Sequence, residues 1–149
     1  STSSAASDVY KRQGKGIKLI DGNDVTIVAT GHLVWEAIEA CDLLENEGIS
    51  PELINIHTIK PLDEKIIINS VSKTKCIVSA EEHNIIGGLG ESISGLLVKN
   101  NLVPMEFVGV EDSFGESGTP SELMKKYGLS AENIYKKCKK AISRKQLGV

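Results

Sequence analysis

The stretch "SAEEHNIIGGLGESIS", residues 79–94, carries the side chains best suited to chemistry in this sequence. Two carboxylates and an imidazole (Glu81, Glu82, His83) stand just ahead of three glycines (Gly87, Gly88, Gly90). A carboxylate can orient an imidazole as a general base, and a glycine turn lets a backbone approach a phosphate. Each reading has a plainer competitor. In an extended strand Glu81 and His83 share one side and Glu82 takes the other, so the three do not converge on one substrate atom. A hydrogen bond or ion pair that anchors the loop is the commoner use of such carboxylates. Gly88-Leu89-Gly90 gives G-x-G, but Ile93 stands where the dinucleotide fingerprint needs Gly or Ala, and no P-loop lysine follows. The segment "GESG" (115–118) lacks the spacing of a nucleophile elbow. His32 and His57 stand alone at expected strand ends, where local hydrogen bonding is the simpler role.

The elements that must position these residues alternate along the chain. "VTIVATG" (25–31), "ELINIHTI" (52–59), "CIVSAEE" (76–82) and "MEFVGVED" (105–112) are apolar runs of the kind that form strands buried on both faces. Between them lie helical periodicities. Val34, Ala37, Ile38, Cys41 and Leu44 mark one helix, with Gly48 suited to its C-cap. "DEKIIINSVSKT" is a second, with Asp63 as N-cap. "GLGESISGLLVKN" is a third, packing through Leu89, Ile93, Leu96 and Leu97. Thr119-Pro120-Ser121-Glu122 spells a capping box that opens "PSELMKKYG", and a last helix over 131–144 buries Ile134, Cys138 and Ala141 or Ile142. The run "GIKLI" ahead of Asp21-Gly22-Asn23-Asp24 is expected to form a short hairpin with 25–31 and to add one antiparallel edge strand. This order predicts an α/β, doubly wound, three-layer Rossmann-like domain with a mostly parallel sheet. Ligands in such sheets collect at the carboxyl ends of the strands, which selects Gly31-His32, His57-Thr58 and the 81–90 loop.

Composition narrows the partners. The 149 residues carry a net charge of −3, so no excess of Lys or Arg exists to bind nucleic acid or an anionic membrane. "KKCKKAISRK" (136–145) is expected to be the solvated face of the last helix. Cys41, Cys76 and Cys138 form neither a C-x-x-C pair nor a metal-ligand spacing, and are expected to be buried thiols. No apolar run approaches the 18 residues that a membrane span needs. Residues 1–13, "STSSAASDVYKRQ", are small and polar without periodicity, and are expected to be a disordered, non-native-looking leader ahead of a domain over 14–149.

Four segments, "DVTIVATG", "INIHTIKPLD", "VSAEEHNIIGGLGES" and "VEDSFGESGTPSELMKKYGLSAENI", stand in the order and spacing of the C-terminal domain of the transketolase family, and the chain resembles that domain over residues 14–144. The "HTIKPLD" and "EEHNIIGGLGES" forms resemble transketolase, particularly the split type whose C-terminal subunit is a separate chain. The pyruvate dehydrogenase β-subunit, which usually carries Gly at the position of His83, and deoxyxylulose-phosphate synthase share the domain. The resemblance implies a part in ketol transfer between sugar phosphates, a step of carbohydrate metabolism in the cytoplasm, in an enzyme that uses thiamine diphosphate and Mg²⁺. It implies that cofactor and metal are held by separate diphosphate-binding and pyrimidine-binding domains, the partners of this one in a homodimer or heterotetramer, and that this chain binds neither and is silent alone. It further implies that Glu82, His83, Gly87, Gly88 and Gly90 face a neighbouring domain or the cleft rim, with no catalytic residue here. A stand-alone regulatory or small-ligand-binding α/β domain, using the 81–90 loop for a phosphate or nucleotide, is the alternative from another class.

Overall fold

The structure, a computed structural model, describes residues 15–84, 88–110 and 119–148. Five strands, β1 (Ile17–Ile20), β2 (Val25–Ala29), β3 (Pro51–Asn55), β4 (Ile77–Asn84) and β5 (Met105–Val110), form one sheet in the order β1-β3-β2-β4-β5. β2, β3, β4 and β5 are mutually parallel, and β1 is antiparallel on the β3 edge. Five helices follow in chain order: α1 (Leu33–Glu45), α2 (Glu64–Thr74), α3 (Leu89–Asn100), α4 (Pro120–Lys126) and α5 (Ala131–Leu147).

Strand alternation sends each side chain to one of two cores. Val25, Ile27 and Ala29 of β2, with Leu53, Val78 and Ala80, pack under α1 and α5 against Leu33, Ala37, Cys41, Ile134 and Cys138. Val28, Ile54 and Ile77 face the other way and pack under α2 and α3 against Ile67, Val71, Leu89, Ile93 and Leu97. This is the three-layer, doubly wound architecture that the strand–helix alternation predicts. All three cysteines are buried, free thiols. Burial pushes the Cys41 thiol up to about 12 and that of Cys76 up to about 11, so neither is a nucleophile at neutral pH.

The helix ends follow their sequence signals. Asp63 caps α2 through the Ile66 N–H (3.4 Å) and also accepts the Gly16 N–H (2.7 Å). Thr119 and Glu122 exchange reciprocal side-chain-to-backbone bonds of 3.2 and 3.3 Å, which is the capping box of α4. The C-cap of α1 is Asn46 rather than the expected Gly48, which takes φ 78° two residues further on in the turn.

The expected hairpin does not form. β1 is the antiparallel edge strand, but it pairs with β3, and β2 lies beyond β3. The turn at 21–24 is drawn beneath the start of β3 instead, where the Asn23 and Asp24 N–H groups donate to the Ser50 carbonyl at 3.1 and 2.8 Å. Gly22 has no room for a Cβ against the Pro51 carbonyl, and its N–H donates to the Glu52 carboxylate. That carboxylate is 1% exposed and receives the Lys73 ammonium of α2 at 2.6 Å. Local turn propensity yields here to a long-range ion pair that ties β1, β3 and α2 together.

A buried acceptor serving both a cation and a backbone N–H is costly to neutralise. Glu52→Gln should lower the unfolding free energy by about 1–3 kcal/mol in urea titration, and a loss below about 0.5 kcal/mol would contradict the role given to this pair. The Lys73 ammonium also holds the Asp21 carboxyl well below its usual range. Asp21 therefore adds stability that is present above the ordinary carboxylate pKa and is lost as pH falls toward its folded value. Asp21→Asn should flatten the acid limb of the stability–pH curve.

Candidate functional site

The parallel register aligns the carboxyl ends of three strands. Ala29 is level with Asn55 and with Ala80, so Gly31, His57 and Glu82 follow two residues on along one edge. The pairing of β4 with β5 shifts register between Ala80 and Asn84, which is where the two glutamates stand.

Glu81 and Glu82 part to opposite faces of the sheet, as strand geometry requires. Glu81 is 1% exposed, and its two carboxylate oxygens accept the Leu89 N–H at 2.9 Å and the Gly90 N–H at 2.8 Å. These are orphan donors of the first turn of α3, so the buried charge sits on the positive end of a helix. Glu82, half-buried, turns to the other face and accepts the N–H of His32, the residue that precedes α1. Adjacent carboxylates thus anchor the starts of two helices on opposite sides of the sheet. Both are engaged with backbone donors, and neither is arranged as a free proton acceptor.

Two glycines make these contacts possible. Gly31 takes φ 59°, and a Cβ there would run into the Glu82 carboxylate. At Gly90 a Cβ would lie 2.7 Å from Phe107 Cδ1 and 2.9 Å from Ser79 Oγ. Gly88 is the N-cap of α3 in an extended conformation that any residue can adopt, and its carbonyl accepts the Ser92 N–H. The helix start therefore needs glycine for closeness at position 90 and for φ at position 31. The expectations for Gly87 and for the His83 side chain lie outside the described residues, as does the "GESG" segment. His57 is exposed, with Nε2 3.4 Å from Asn55 Nδ2, which is the local hydrogen bonding expected of it. His32 is exposed and contributes its backbone N–H.

Sequence reasoning missed three features here. Gly31 gave no signal because its constraint comes from a side chain 51 positions on. Ser79 is buried with an unpartnered hydroxyl beneath Gly90. Trp35, on the first turn of α1, is 72% exposed although an apolar-periodic helix carries it. Among the described residues no three His, Cys, Asp or Glu side chains converge on a point that could hold a metal ion, and no helix is long and apolar enough to cross a membrane. Glu81 and Glu82 part to opposite faces and are taken by backbone N–H donors, so their carboxylates do not converge as Mg²⁺ ligands.

The sequence profile described as "Transketolase, C-terminal domain" matches residues 14–134. The 6-deoxy-6-sulfo-D-fructose transketolase subunit of Clostridium sp. (strain MSTE9) is 43% identical over 132 residues, which are 89% of this chain and 41% of that protein. The 1-deoxy-D-xylulose-5-phosphate synthase of Heliobacterium modesticaldum is 42% identical over 122 residues, 81% of this chain and 19% of that one. Among solved structures, a split-gene transketolase described as an inactive β4 tetramer superposes with a TM-score of 0.85 at 42% identity, over 89% of this chain and 43% of its own. The chain thus spans less than half the length of these relatives.

Glu81→Gln turns one acceptor into a donor facing a helix N–H, and should cost about 1.5–3 kcal/mol in urea titration. Hydrogen exchange at Leu89 and Gly90 should quicken selectively, and unchanged protection there would refute the anchoring role. Gly31→Ala should cost about 1–3 kcal/mol through its φ and the displaced Glu82 carboxylate.

Proposed function

The chain belongs to the transketolase C-terminal domain family, and from that premise we propose that it is the C-terminal module of a thiamine-diphosphate-dependent transketolase of the split type. In this reading it contributes packing, dimer support and the rim of the substrate cleft in cytoplasmic ketol transfer between sugar phosphates, and is silent by itself. Thiamine diphosphate and Mg²⁺ would be held by the diphosphate-binding and pyrimidine-binding domains of the complete enzyme. The observation that carries the proposal is the Glu81–Glu82 corner. Its carboxylates hold helix N-termini, so the most reactive-looking segment of the chain supports architecture, which suits a module that completes a cleft built elsewhere. Likeness to the Clostridium subunit and to the split-gene transketolase supports the same view.

Glu82, His83, Gly87, Gly88 and Gly90 then form the rim facing the neighbouring domain. In that role the Glu82 carboxylate fixes the edge by holding the backbone at His32. A second reading, the same domain in a deoxyxylulose-phosphate synthase, is favoured by the 42% identity to the Heliobacterium enzyme. The two differ in the donor that the reconstituted enzyme uses.

Co-expression with a diphosphate-binding and a pyrimidine-binding domain should yield ketol transfer between sugar phosphates in the complex and none in the isolated chain. Activity of the isolated chain, or full activity and dimerisation of the other domains without it, would overturn the proposal. Formation of deoxyxylulose phosphate from pyruvate would favour the second reading. Tight calorimetric binding of a nucleotide or sugar phosphate by the chain alone would favour a stand-alone ligand-binding domain.

A further inference from the structure

The amino edge of the sheet holds a cavity of about 440 Å³, enclosed by the end of α2, the last turn of α5 and the residues that lead into β5. One wall is apolar and consists of Leu102, Val103 and Pro104, with Leu102 82% exposed. The other is cationic and consists of Lys75, Arg144 and Lys145. Among the described residues no side-chain amide, hydroxyl or carboxylate lines the space.

These cations retain donors that the fold does not use. Arg144 gives Nη1 to the Met105 carbonyl at 3.0 Å and the Glu106 carboxylate at 2.6 Å, which leaves Nε and Nη2. Lys145 donates to the Asp24 and Thr74 carbonyls, and its third N–H is left over. The Lys75 ammonium has no partner among the described residues. Glu106 does not neutralise this corner, because Lys137 at 3.8 Å and Lys140 at 3.4 Å share it with Arg144. The Asp24 carboxylate accepts the Ser50 N–H. Five cations thus gather around two carboxylates in a chain whose net charge is −3. The helix C-termini that end here are partly covered too, Thr74 by Lys145 and the Lys145 carbonyl by the Gly148 N–H. Lys75 is held in place against its backbone preference. It caps α2 at φ 67°, the one non-glycine residue with positive φ among the described residues, where glycine is the usual choice.

We propose that this cavity is a binding site for a small phosphomonoester whose remaining part is apolar. Lys75, Lys145 and the free edge of Arg144 take the phosphate, and Leu102, Val103 and Pro104 take the apolar part. A phosphate dianion suits converging N–H donors that have no acceptor side chain among them. The hydroxyls of a sugar would meet only the apolar wall and lose their hydrogen bonds to water. The ligand class therefore differs from the sugar phosphates of ketol transfer. The site lies at the edge opposite Glu81 and Glu82 and stands apart from that reading.

Titration of the 149-residue chain with phenyl phosphate, followed by amide chemical shifts, should saturate with a Kd below about 2 mM and move the signals of Lys75, Val103 and Lys145. Inorganic phosphate, phenol and ribose phosphate should each bind at least about threefold more weakly, since each lacks the anion or the apolar part. Lys75→Gly relieves the strained φ, so the melting temperature should hold or rise by about 1–3 °C, while the phenyl phosphate Kd should rise at least about fivefold. Leu102→Ser should weaken phenyl phosphate about threefold and leave inorganic phosphate unchanged. A phenyl phosphate Kd above about 2 mM, shifts confined to the carboxyl edge, a ribose phosphate that binds as well as phenyl phosphate, or an affinity indifferent to either substitution would overturn the proposal.

Discussion

A buried carboxylate cannot remain without partners in an interior of low dielectric, and Glu81 meets that constraint with two backbone N–H groups at the start of α3. Much of the carboxyl edge depends on this solution. It fixes where α3 begins and brings Gly90 against Phe107 and Ser79. It also leaves Glu82, the next residue, to face the other layer, where it holds the backbone at His32. One dipeptide therefore joins both helical layers to β4 through backbone donors.

At the amino edge the same economy uses side chains. Glu52 and Glu106 are buried acids at or near the starts of β3 and β5, and cations from helices on opposite faces reach them: Lys73 from α2 and Arg144 from α5, each at 2.6 Å. Lys145 donates to the carbonyls of Asp24 and Thr74 near the amino ends of β2 and β4. Cations in the last turns of helices are also what the helix dipole favours. The sheet is thus held at one edge by carboxylates on helix N-termini and at the other by ion pairs near helix C-termini.

This division of labour bears on function. The residues that look most reactive in the linear sequence, Glu81 and Glu82, are committed to geometry. A module built this way has rigid faces to offer to other domains. Its place among transketolase C-terminal domains accords with that character.

Much of the architecture was legible from the sequence because its causes are local. Period-two and period-3.6 apolar patterns assign the four parallel strands and the helices, and Asp63 and the Thr119–Glu122 box mark helix starts within four residues of their partners. The separation of Glu81 from Glu82 also follows from the pleat alone. The partner of β1 was not legible. Asp21-Gly22-Asn23-Asp24 has the composition of a hairpin turn, but Glu52 and Lys73, distant in sequence, draw that segment beneath β3. The same holds for Gly31, whose need for glycine arises from Glu82, and for Trp35, whose exposure is invisible in a helical apolar pattern. Sequence by itself determined which elements form and where they start, since those preferences act over a few residues. Tertiary structure alone decided which edge β1 joins, which donors the two glutamates receive and which apolar side chain is left outside, because each is settled by groups that only the folded chain brings together.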